Sequence, residues 1–142
     1  MSYCTLVVAR RYLKSIDALA TDPTKGITQD DLTHAEADAQ ARIASDLAAY
    51  YDTSGWAEET PPIIETVAEL LASAQVLRYR YQRDSLGGSD VAEFAALLRT
   101  DAERQLADLR EGRLHVLSLA GAIQRMRPGV GSTVPRARNP KE

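Results

Sequence analysis

The chain has 142 residues and a formal net charge of −3, with 44% hydrophobic and 26% charged residues. That length suits one ordinary domain, and the mix is that of a globular chain, not a disordered one. No apolar run reaches the ~18 residues of a membrane-spanning helix, so no membrane partner is expected.

One Phe, one Trp and six Tyr leave the core to aliphatic side chains, with Ala and Leu dominant, which favours helix over sheet. The start, Met1-Ser2-Tyr3-Cys4-Thr5, carries neither the basic region nor the long apolar stretch of a signal peptide. Cys4 has no second cysteine to pair with. Synthesis in the cytoplasm is the expectation. The charge is unevenly spread. Through Gly112 there are 11 Lys and Arg against 19 Asp and Glu, a net −8; from Arg113 onward there are 6 basic residues against Glu142, a net +5. An acidic body carries a basic tail.

In chain order, Thr5 is an N-cap candidate, and Leu6, Ala9, Leu13 and Ile16 or Asp17 at helical spacing predict a short helix to about Lys14. Thr21 to Gly26 reads as a loop. Thr28-Gln29-Asp30-Asp31 resembles a capping box and opens a second helix to about Tyr51, with Leu32, Ala35, Ala39, Ile43 and Leu47 on one stripe. Asp52 to Glu59 is a connecting loop holding Trp56. Thr60-Pro61-Pro62 starts the third helix, since proline is tolerated in a first turn; its wide stripe runs from Ile63 to Tyr81, and Ser85 to Gly88 breaks it. Ser89 or Asp90 caps the fourth, with Val91, Phe94, Ala95, Leu98, Ala102, Leu106 and Leu109 inward and Gly112 at its C-terminal stop.

Beyond Gly112 the pattern changes. Ser118 to Arg127 suits either a short helix, with Leu119, Ile123 and Met126 on one side, or an extended path, and Pro128 to Pro140 lacks the apolar surface to order itself. The expected fold is all-α: a four-helix bundle-like domain over residues 1–112 with an extended C-terminal arm over 113–142.

Little in the chain points to catalysis. His34 and His115 have no Cys or second His at ligand spacing, so no metal or cofactor is expected. Glu58-Glu59 reads as a solvated turn, not an acid–base pair. Gly129-Val130-Gly131-Ser132 lacks the strand before it and the Lys of a phosphate loop. Nothing near Cys4 lowers a thiol pKa. Arg78, Arg80 and Arg83, interleaved with Tyr79 and Tyr81, suit either nucleic-acid contact or a helix end whose tyrosines join the core. Trp56 suits either a cap over helix ends or an interface anchor. The expectation is a protein that assembles with others and is not an enzyme.

Several segments, in order, resemble the Mu-like phage proteins placed among head–tail joining components. They are Met1-Ser2-Tyr3-Cys4-Thr5-Leu6, the helix ending Leu47-Ala48-Ala49-Tyr50-Tyr51, Pro61-Pro62-Ile63-Ile64, Leu77-Arg78-Tyr79-Arg80-Tyr81, and Leu109-Arg110-Glu111-Gly112-Arg113-Leu114. The resemblance covers about Met1 to Leu114. Val7-Val8-Ala9-Arg10 departs from it, and so does the tail.

It implies a head–tail connector, or adaptor, of the virion neck: a structural subunit assembled in the host cytoplasm into a dodecameric ring beneath the portal. The partners it implies are the portal protein, neighbouring copies of the chain, a stopper or tail-terminator protein, and DNA that passes through without specific binding. On this reading the arm docks through Leu117, Leu119, Ile123, Arg125, Met126, Arg127, Arg136 and Arg138, with Trp56 as a candidate anchor. The alternative is a small helical nucleic-acid-binding or DNA-packaging protein, motivated by the basic tail and the Arg78 to Arg83 cluster.

Overall fold

The computed structural model describes residues 3–4, 28–84 and 88–127. They form three helices, α1 (Gln29–Leu47), α2 (Pro62–Asp84) and α3 (Gly88–Arg110), followed by a two-stranded hairpin of β1 (Val116–Leu117) and β2 (Ile123–Gln124). The described residues are thus mostly helical. The helix expected from Thr5 to Lys14 lies outside the described residues.

Local chemistry sets the helix ends. Thr28 caps α1 reciprocally: its hydroxyl accepts from the Asp31 backbone N–H at 3.2 Å, and the Asp31 carboxylate accepts from the Thr28 N–H at 2.8 Å. Two N–H groups that the first turn would leave unpaired are satisfied, and the acid sits at the positive end of the helix dipole. Pro62 occupies the first position of α2, where no intrahelical N–H is needed.

The end of α3 is a Schellman turn. The Gly112 N–H reaches the Leu109 carbonyl at 3.4 Å and the Arg113 N–H reaches the Asp108 carbonyl at 2.8 Å. Gly112 adopts φ 78°, the left-handed conformation that this turn requires and glycine accepts without strain.

Packing follows the apolar stripes. Leu32, Ala35, Ala39, Ile43 and Leu47 of α1 are buried against Ile64, Val67, Ala68, Ala72 and Val76 of α2 and Ala95, Ala102, Leu106 and Leu109 of α3, in one core. The small side chains at 35, 39, 68, 72, 95 and 102 are all buried, which suits close approach of the helices. α2 is central, touching both neighbours more extensively than they touch each other.

Polar pairs on the rim give the directions. Arg42 meets Glu103 at 2.8 Å and Asp46 meets Arg110 at 3.2 Å, so α1 and α3 advance in the same sense. Gln75 of α2 bonds Asp38 at 2.7 Å, while Trp56, just before α2, packs on Tyr51, just after α1. α2 is therefore antiparallel to the other two.

From Ser118 to Arg127 the chain is extended, and the short helix that its apolar spacing also suits does not form. β1 and β2 pair antiparallel, with Val116 opposite Gln124 and Leu117 opposite Ile123. The Ser118 N–H donates to the Ala122 carbonyl at 2.8 Å, the Gly121 N–H to the Ser118 carbonyl at 2.9 Å, and Gly121 has φ 84°. This is the three-residue hairpin loop with glycine in the left-handed position. A helix would place that glycine in its interior at a cost of about 1 kcal/mol and would forgo the bonds that β2 makes to the bundle.

Candidate functional site

The hairpin sits on the end of the bundle where α1 and α3 finish and α2 begins. Val116 is fully buried and packs with the core, and Met126 is partly buried against it. The remaining fastenings are polar. The Trp56 indole N–H donates to Gln124 Oε1 at 2.9 Å, and Gln124 Nε2 donates to the Asp52 carbonyl at 2.8 Å. One amide therefore spans the α1–α2 loop. The Arg127 N–H donates to the Tyr50 carbonyl at 2.7 Å, and its Nε donates to the Tyr51 carbonyl at 3.3 Å.

Beneath the hairpin lies an aromatic node. The Tyr51 hydroxyl donates to the Leu109 carbonyl at 2.8 Å in the interior. The Trp56 ring centroid lies 6.2 Å from those of both Tyr51 and Tyr3, edge-on to Tyr3. Burial pushes the phenol pKa values of Tyr3 and Tyr51 up. It also pushes the Cys4 thiol up to about 12, with the charges of Glu36, Glu69 and Glu65 adding to the effect. This thiol stays protonated at neutral pH and lacks the activation a nucleophile needs.

With its base fixed in this way, the hairpin turns an apolar surface outward. Leu117 is 42% exposed, Leu119 66% and Ile123 59%. Arg125 beside them is exposed, and residues 113–127 include Arg113, Arg125 and Arg127 and no acid. Arg113 spends its charge on Asp108, at 3.0 Å, and on Glu111.

The residues expected to bind partners thus divide. Leu117, Leu119, Ile123 and Arg125 share the outward surface, Met126 faces the core, and Arg127 is fastened to the turn after α1. Arg136 and Arg138 lie outside the described residues. Trp56 is 3% exposed and covers the helix ends inside this chain. Gln124, which joins Trp56 to Asp52, carried no sequence signal; only the fold brings those three together.

Other features singled out in the sequence stand apart from the hairpin. His34 and His115 are exposed, as are Glu58 and Glu59. Among the described residues no three His, Cys, Asp or Glu side chains are grouped to hold a metal ion, and no helix is long and apolar enough to cross a membrane. Arg78 is exposed and lines a groove of about 230 Å³ with Asp38, Arg42, Gln75 and Arg99. Arg42 is already engaged by Glu103 and Asp46, which raise its pKa. Tyr79 is partly buried against the core, and its hydroxyl accepts from Gln75. The side chains of Arg80, Tyr81 and Arg83 lie outside those described.

Comparison with known proteins adds no relative: no protein-family model, no curated protein and no solved structure matches the chain.

Proposed function

We propose that the chain is a structural subunit of a phage neck, a head–tail connector whose copies form a ring beneath the portal and join the capsid to the tail. The observation that carries this reading is the hairpin. Its base is locked by Val116, Gln124 and Arg127, while Leu117, Leu119 and Ile123 face solvent. Exposed apolar surface on a fixed support is what a protein interface requires.

The charge division supports the same reading. A net-acidic body lining a channel repels phosphates and lets DNA pass without sticking, while the basic C-terminal segment is suited to acidic protein partners. The portal and a stopper or tail-terminator protein are the partners this reading assigns. The role is one of assembly, not catalysis.

The test is mass spectrometry of purified particles from the source of the gene, with electron microscopy of the chain co-expressed with a portal protein from the same source. The expected result is the chain in the particle at a copy number matching the portal ring, and annuli stacked on portals. Particles that lack the chain, with no portal complex on co-expression, overturn the reading.

A further inference from the structure

Among the described residues the exposed large apolar side chains fall into two groups. One is the hairpin trio Leu117, Leu119 and Ile123. The other is on the first half of α3, where Phe94 is 42% exposed and Leu97 65%. Phe94 and Leu97 are three apart and share a helix face. Leu97 stands thirteen residues before Arg110, the last residue of α3. That is roughly 20 Å along the axis from the end where the hairpin is seated, and in the folded chain neither patch covers the other.

Their rims are opposite in charge. Between Ala92 and Leu98 the one charged residue is Glu93, while between Leu114 and Met126 it is Arg125; Arg113 is already paired with Asp108 and Glu111. Glu93 is exposed beside Phe94, and Arg125 is exposed beyond Ile123. An apolar centre with an acidic border thus faces a matching centre with a basic border, at the other end of the same molecule.

We propose that these patches are the two halves of one head-to-tail contact between copies of this chain, the hairpin of one copy seating on Phe94 and Leu97 of the next. This rests on the connector reading, which calls for self-assembly, and it names the surfaces that do it. Two different patches on one chain make a heterologous contact, which closes into a ring when the rotation per copy divides a full turn. A two-fold dimer through either patch would instead set like-charged rims against each other, which complementarity disfavours.

The experiment mixes two variants of the full chain, Leu97→Cys and Leu119→Cys, under mild oxidation, both in isolation and co-expressed with the portal protein. The wild-type chain, whose Cys4 is buried, is the control. The expected product is a mixed disulfide between the two variants, in several-fold excess over either homodimer. Leu97→Asp and Leu119→Asp, both at exposed positions, are expected to abolish self-assembly in light scattering while leaving the far-ultraviolet circular dichroism unchanged. Homodimers in excess, no mixed link in either setting, or assembly that survives both Asp variants overturns the contact. Annuli on portals without the mixed link remove this contact and leave the connector reading standing. A mixed link in assemblies that never join a portal keeps the contact and removes the connector reading.

Discussion

The hydroxyl of Tyr51 donates to the backbone carbonyl of Leu109 at 2.8 Å, tying the turn that follows α1 to the last turn of α3. The Leu109 carbonyl also accepts from Gly112, at a longer 3.4 Å. Tyr51→Phe removes the short bond, keeps the ring packing and leaves the carbonyl with the weaker partner. A loss of about 1 kcal/mol is expected, read as a lower urea midpoint with an unchanged slope.

Gln124 joins the hairpin to the bundle through both ends of its amide. Gln124→Ala removes the bonds to Trp56 and Asp52 together and strands a buried indole N–H, at a cost of about 2 kcal/mol. Amide exchange over 116–127 should rise well above that of α2, with a red shift in the fluorescence of the single tryptophan. A Trp56 emission unchanged from wild type would contradict the arrangement.

Gly121 tests the hairpin loop itself. A Cβ added there meets nothing within 4 Å, but the residue sits at φ +84°. The penalty for Gly121→Ala is therefore conformational and not steric, about 1 kcal/mol. Gly121→Asn should cost less, because asparagine tolerates the left-handed region. If residues 118–127 were helical, Gly121→Ala would stabilise the segment instead, so the sign of the change in exchange protection decides between the two.

Cys4, Tyr3 and Tyr51 all have raised pKa values, chiefly through burial. Each ionises more readily in the unfolded chain than in the native one. Their contribution to stability is complete below their unfolded values and is lost as pH rises from the ordinary cysteine value of 9.0 toward about 12. The urea midpoint should hold steady around neutrality and fall above about pH 9, and Cys4→Ala should remove part of that fall. A midpoint that stays level into the strongly alkaline range would contradict the burial of these groups.

The helices were legible because their signals are local. Thr28 and Asp31 form the capping box their spacing announces, Pro62 opens α2, and Gly112 stops α3 in the left-handed turn its position calls for. The hairpin was not, because Leu119, Ile123 and Met126 fall at intervals that also suit a helix. What decides against the helix is the bonding of Gln124 to Trp56 and of Arg127 to Tyr50, between residues 68 and 77 positions apart. The burial of Tyr3 and Cys4 was equally hidden, since two residues at the start of a chain carry no periodicity. For the candidate surface, composition marked Leu117, Leu119 and Ile123 as apolar, but only the strand pairing turns them outward. The second patch, Phe94 and Leu97, was obscured because Phe94 reads as part of the α3 core stripe.

Tyr3 packs on Trp56 and Gln124 is bonded to it, so the first and last described segments of the chain fasten to one side chain. The indole acts as a buckle: a pull applied between residue 3 and residue 124 loads this junction before any helix can be peeled from its neighbours. Tension entering through the hairpin would be borne at the Trp56 clasp, with the helical body kept out of the line of force.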